Sequence, residues 1–337
     1  MRAKFWIVIA VLTMLLGGAG GYYIYSSQSN EIPEFLPVGD GAAWQNWQSI
    51  EVRQNNRTIQ LRRGRNGWRI ENYGDYPVAD AVIAAWADHW THTENRGLAA
   101  WGKSGIVESG VDDGDPRMIR LTVVGAKSKI IADWMLSKQA NAGQYWARAA
   151  RKDRVYNLQM PFDMPTDISG WLPDYFSALR ADDMAAIWLR VGEANVVDLR
   201  RNADDLQSWR IANLPPGKML RPDSAIVKLP KFWQTMTIES IQPIDRIRPG
   251  KSDRVRAEFY AAHGLRIIVT QAVDSNIIYS HFRAEPMTPA MAGIAGQWNQ
   301  AFGKWVFVLD AASNALLRLD MPTIVQPAVN SSPSRAS

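Results

Sequence analysis

The chain has 337 residues, 47% hydrophobic and 21% charged, with a net charge of +5; at ~100–200 residues per domain this is a globular composition for about two folded units. It contains no cysteine, which excludes disulfides, thiolate nucleophiles, iron–sulfur clusters and an acylated-cysteine lipid anchor. So mild a positive charge gives no case for a nucleic-acid partner.

Residues 5–25 read FWIVIAVLTMLLGGAGGYYIY, and no charge occurs between Lys4 and Glu31. A helix of that length spans about 31 Å, matching a ~30 Å hydrocarbon core. Arg2 and Lys4 precede the stretch and Glu31 and Glu34 follow it, which places the N-terminus in the cytoplasm. Trp6 and Tyr22, Tyr23 and Tyr25 stand near the two interfaces. The reading is a retained single-pass anchor over residues 1–26 in the inner (cytoplasmic) membrane. A linker over 27–44 then leads to a periplasmic body. A cleaved signal peptide is the rival, with Phe5–Leu16 as its apolar core and Ala19 and Gly21 near the cut. The apolar run on to Tyr25 favours the anchor, and both readings export the body.

Next comes an internal repeat. Ile50-Glu-Val-Arg begins a strand; Thr58-Ile-Gln-Leu-Arg62 alternates, turns at Gly67 and returns as Trp68-Arg-Ile70. Ile187-Trp-Leu-Arg-Val191, Asn195–Arg200 and Trp209-Arg-Ile211 repeat the pattern, pairing Leu61 with Leu199 and Trp68 with Trp209. Period-2 alternation about turn residues is a hairpin signal. A helix follows each hairpin. After Pro77, Val78, Val82, Trp86 and Trp90 form an i, i+4 stripe. After Pro222, Ile226, Leu229 and Trp233 do the same, but Pro230 shortens that helix. Further strands match in order: Met118–Val124 with Val255–Tyr260, Lys129–Met135 with Leu265–Gln271, Tyr145–Ala150 with Tyr279–Ala284, and Val155–Leu158 with Val306–Leu309.

The expected fold class is α+β: a transmembrane helix, then two tandem duplicated units of antiparallel sheet plus helix. The units cover 45–180 and 181–321. A Pro/Ser-rich disordered tail covers 322–337.

The carrying motifs are NGWRI (66–70), Pro-Val-Ala-Asp (77–80), GVDDGDPRMIRL (110–121), GQYWARAARKDRVYNL (143–158) and Gly170-Trp-Leu172. Together with the anchor, and in this order, they resemble a bacterial family known as domain of unknown function 4340, over roughly residues 45–325. The resemblance implies a membrane-anchored, exported accessory component, associated in many members with ABC-transporter systems of the gliding-motility type. It supplies no catalytic residues. The chain departs from the pattern in its 15 tryptophans and its broken second helix.

Candidate chemistry is sparse. Gly97-Leu-Ala-Ala-Trp-Gly102-Lys103-Ser104 fits the P-loop pattern, whose amides cradle phosphate while the lysine pairs with it. The motif needs a buried strand before it and a helix after it. The residues before it, through Arg96, read as a polar helix end, and Gly110, Gly114 and Pro116 forbid a long helix after it. Gly97, Gly102, Lys103 and Ser104 therefore read as coincidence, and no nucleotide or other cofactor is expected. Trp305–Asp310 mimics a Walker B strand, but its repeat partner is the ordinary strand Val155–Leu158. His89 and His92 lie three apart on the first helix without a third ligand, so no metal site follows. His263 and His281 have no serine or aspartate placed beside them by the sequence. Arg62, Arg63 and Arg65 crowd the first hairpin; a solvated sheet edge accounts for them, as does contact with lipid headgroups or an acidic partner.

The expectation is a non-enzymatic, membrane-anchored interaction protein. Its partners would be the membrane and membrane proteins, ABC-transporter subunits among them. The alternative is an envelope glycan or polymer binder that uses exposed tryptophans.

Overall fold

The structure is a computed structural model that describes residues 43–328, apart from 174–178, 194–195, 203, 206–207 and 248–254. The anchor at 1–26 and nearly all of the linker at 27–44 lie outside the described residues. Within them no helix is long and apolar enough to cross a membrane.

Alternation dictates strands from the start. β1 (Trp47–Gln54), β2 (Arg57–Gly64), β3 (Gly67–Ile70) and β4 (Tyr76–Val78) lead into helix α1 (Asp80–Thr91). Strand β5 (Glu94–Trp101) and the short helix α2 (Gly102–Glu108) follow, then β6 (Ile119–Gly125), β7 (Ile130–Lys138), β8 (Gln144–Ala149) and β9 (Arg154–Gln159). These strands form a nine-stranded sheet in the order β4-β3-β2-β1-β6-β7-β8-β9-β5.

The second half begins with β10 (Met184–Val191), β11 (Val197–Arg201), β12 (Trp209–Ile211) and β13 (Lys218–Leu220). The expected helix after Pro222 is broken as Pro230 requires: a 3-10 segment, Ala225–Lys231, gives way to α3 (Phe232–Thr235). Next come β14 (Ile238–Pro243), β15 (Val255–Ala261), β16 (Leu265–Asp274), β17 (Ile277–Pro286), α4 (Ala292–Phe302), β18 (Trp305–Leu309), α5 (Ala311–Leu317), α6 (Met321–Ile324) and β19 (Val325–Pro327). The second sheet has eight strands in the order β12-β11-β10-β15-β16-β17-β18-β14, and β13 pairs with β19.

Reading the first sheet from β3 and the second from β12, the two strand orders coincide strand for strand. The register coincides as well. Leu61 faces Ile70 and Arg63 faces Trp68, just as Leu199 faces Ile211 and Arg201 faces Trp209. Arg53 faces Arg120 across β1 and β6; Arg190 faces Arg256 across β10 and β15. Met135 faces Arg148 across β7 and β8; Thr270 faces His281 across β16 and β17. The fold is α+β, with large antiparallel sheets and few helices.

Each sheet buries one face under helices. In the first, Trp86 of α1 meets Trp47 of β1 edge-on at 5.9 Å and Trp90 at 5.7 Å. In the second, Trp233 of α3 packs on Phe259 at 5.0 Å and Trp298 of α4 at 5.8 Å, while Phe302 of α4 packs on Phe307. Large aromatics in this geometry supply much of the burial energy.

Three features depart from the expectations. Glu94–Arg96 are strand, not helix end, because α1 stops at Thr91 and Glu94 and Asn95 pair with Gln159 and Leu158 of β9. The hairpin bearing Arg62, Arg63 and Arg65 is not a sheet edge; the edge on that side is β4, where Pro77 needs no ladder donor. Residues 322–327, the start of the segment read as a tail, belong to α6 and β19 with Ile324 and Val325 buried, and 329–337 lie outside the described residues.

Among the described residues the chain divides into two compact units, one of 43–56 with 84–164 and one of 57–83 with 165–328. The second unit thus takes in the β2–β4 segment. There the Tyr76 hydroxyl donates to the Ala301 carbonyl at 3.1 Å, and its ring lies 5.0 Å from Trp305. Gly74 has φ +65°, and a Cβ there would stand 2.9 Å from the Ile241 carbonyl oxygen. Gly74→Ala therefore suffers both a strained backbone and a backbone clash. It should destabilise the protein by about 1–3 kcal/mol, read as a lower urea midpoint at unchanged m-value.

Candidate functional site

The face of each sheet turned away from the helical layer is where the two halves diverge. In the first sheet this face is covered by the chain itself. Residues 102–118, which connect β5 to β6, fold back across it. Val111 and Met118 are buried against Met135 and Val155, and Ala100, Ile106, Trp146 and Ala150 pack around them. Gly105 makes the close approach possible, since a Cβ there would lie 2.8 Å from the Ala100 Cβ.

Arg148 anchors that segment. It is only 6% exposed. Its Nε donates to the Val111 carbonyl at 3.0 Å, and Nη1 donates to the Lys152 carbonyl at 3.1 Å. The segments GVDDGDPRMIRL and GQYWARAARKDRVYNL are thus the two sides of one contact. Beyond Val111 the chain turns acidic. Asp113 and Asp115 share a hollow of about 480 Å³ with Arg53. Hydrogen bonds from Arg117 hold the Asp115 carboxyl down to about 2. Arg120 is held charged chiefly by its bidentate bond to Asp133, and Asp113 and Glu51 add attraction.

In the second sheet no described segment covers the corresponding face. A cavity of about 980 Å³ lies on it, walled by Arg190, Arg256, Thr270, Tyr279, His281 and Val306, with Ile244 on its rim. His281 stands where Arg148 stands in the first sheet, but its Nε2 bonds the Gly303 carbonyl at 2.9 Å. Beside the cavity runs an ion-pair ladder. Arg256 donates to Glu258 at 2.6 Å, Tyr260 donates to Glu258 at 2.5 Å, and Arg266 links Glu258 to Glu285, which Arg283 also meets. Desolvation pushes the Glu258 carboxyl up, but its Tyr260 and Arg256 bonds outweigh that, so its pKa lies below the ordinary value. Glu258 stays ionised at neutral pH and holds Arg256 in the cavity wall.

The P-loop-like residues form no cradle. Gly97 lies within β5, where its amide donates to Asn95 Oδ1 at 3.0 Å. The Gly102 amide donates to the Asp153 carbonyl at 2.9 Å. Lys103 and Ser104 sit exposed on a helix of 7 residues. A phosphate cradle needs such amides aimed at one point, and here they are spent on the protein.

The other candidates scatter. Arg62 pairs with Glu71 at 3.1 Å on an exposed surface, Arg63 faces Trp68 and Arg65 lies exposed in the turn. His89 stacks on Phe162, whereas His92, past the end of α1, bonds the Asp88 carbonyl. Among the described residues no three metal-ligating side chains come together. His281 was in view from the sequence; Arg190, Arg256 and Thr270 were not, because their signal is register equivalence to a covered face elsewhere. Comparison with known proteins finds no matching family model, no similar curated protein and no similar solved structure.

Arg148→Ala would leave two backbone carbonyls without their donor and open a void under residues 102–118. The buried Val111 carbonyl left unsatisfied costs ~1–3 kcal/mol and the void adds to it, so the change should cost about 2–5 kcal/mol. Hydrogen exchange should show the loss of protection centred on Val111.

Proposed function

We propose that the chain is a membrane-tethered protein whose exported body holds partner proteins and carries no chemistry of its own. The body arose by internal duplication. The observation that carries this reading is the open cavity on the second sheet, set against the covered face at the same register in the first. Rigid strands supply its walls, and a rigid, preformed wall is what a binding surface requires.

The uncharged stretch at 5–25 supports the tether, with the N-terminus in the cytoplasm and the body in the periplasm. A tether with a short linker raises the effective concentration of nearby membrane partners to ~mM, so a modest interface suffices. The family that the motifs resemble suggests a transport assembly, with ABC-transporter subunits as the partners. In the glycan-binding alternative, tryptophans would stand in open pairs. Here Trp101, at 66% exposure, is the one described tryptophan that is mostly exposed, and pairs such as Trp47–Trp86 and Trp233–Trp298 form core. That burial favours protein contact.

Photo-crosslinking in living cells tests the reading, with probes at Arg62 and Arg65 on the exposed hairpin and a control at Ser334. Reproducible adducts to membrane proteins from the hairpin alone are the expected result. Adducts to glycan or lipid only would overturn it in favour of the polymer-binding reading.

A further inference from the structure

We infer that the cavity on the second sheet receives, in trans, a peptide segment of a partner protein: one or two apolar residues followed by acidic residues. This deepens the interaction reading above and rests on it. The protein already displays the occupied form of the same groove, in its first sheet.

The correspondence is residue by residue. Extending the paired registers, Met135, Trp146, Arg148 and Val155 of the first sheet map onto Thr270, Tyr279, His281 and Val306 of the second. Arg53 and Arg120 map onto Arg190 and Arg256. In the first sheet these positions are a binding site that the chain fills itself. Ile106 and Val111 lie in the apolar part, the Val111 carbonyl is taken by Arg148, and the run Asp112–Asp115 passes Arg53. In the second sheet the same positions line a cavity of about 980 Å³. The chain connecting β14 to β15, residues 244–254, is shorter than its counterpart at 102–118. Its described part contributes Ile244 and Ile247 to the rim.

Charge points the same way. Two arginines directly opposed on neighbouring strands repel each other and destabilise a sheet unless an anion sits with them. Arg120 has Asp133 and Arg256 has Glu258. Arg190 lies over the Trp188 ring at 5.6 Å, and no described carboxylate lies within ion-pair distance of it. Among the described lining residues Glu193 is the one carboxylate, against two arginines. The apolar end of an incoming segment would meet Val306 and Ile244, and its acidic end would meet Arg190 and Arg256. The wall residue Thr270, where the first sheet has Met135, leaves room for an apolar side chain. His281 is bonded back to Gly303, whereas Arg148 at the same place reaches the covering segment.

The test titrates full-length protein in detergent micelles against a fluorescent synthetic peptide with the sequence of residues 105–116, GIVESGVDDGDP. Saturable binding is expected. It should weaken by roughly tenfold or more in Arg190→Glu, in Thr270→Trp, in a peptide with Val111→Asp, and in a peptide with its three aspartates changed to asparagine. If Thr270→Trp does not fold, the two altered peptides on the unaltered protein decide the matter. No saturation up to ~1 mM, equal affinity across all these variants, or binding of oligouronate sugar but not of peptide would overturn the proposal. Hairpin crosslinks to membrane proteins in cells, without peptide binding, would leave the interaction reading standing and remove this one.

Discussion

Residues directly opposed in an antiparallel pair lie on the same face of the sheet. Register therefore decides which side chains go under the helices and which face away. In this protein one register is used twice. Ile50, Val52, Leu121 and Val123 are buried in the first sheet, as Ile187, Leu189, Ala257 and Phe259 are in the second. A slip of one residue would exchange the faces. It would drive Arg53 and Arg190 into cores built from aromatic rings, where an unpaired charge is prohibitively costly.

The helical faces are alike in register, and the opposite faces differ. In the first sheet a long β5–β6 connection covers Met135 and Val155, and Arg148 fastens it through backbone carbonyls. A buried guanidinium is tolerated there because its bonds compensate its desolvation. In the second sheet His281 occupies that position, and the shorter connection is accompanied by an open cavity. The helix α4, inserted between β17 and β18, packs on the helical face through Trp298 and Phe302 and does not alter the strand order.

Much of the sheet architecture was legible in the sequence. The alternation of Thr58–Arg62, the turn at Gly67 and the return at Trp68 announced a hairpin, and its echo at Leu199 and Trp209 lies on matching strands in matching register. Pro230 announced the broken second helix. What escaped depends on contacts distant in the chain. Val111 and Arg148 are 37 residues apart, and Tyr76 and Ala301 are 225 apart. No local pattern reveals such pairings. The strand β5 was misread because Glu94–Arg96 are polar, which suits an exposed edge strand as well as a helix end. The groove was invisible because it is a difference between two faces, seen only once both are folded.

One face of the first sheet is filled by its own chain, while no described segment fills the equivalent face of the second. The absence of cysteine in the sequence allows a direct measurement. Met135→Cys and Thr270→Cys place single thiols at equivalent positions, one buried under Val111 and one in the cavity wall. Maleimide labelling of the folded proteins should be faster at residue 270 by roughly a hundredfold, since the thiol at residue 135 reacts only through local opening. Equal rates at the two positions would show that the two faces are equally covered.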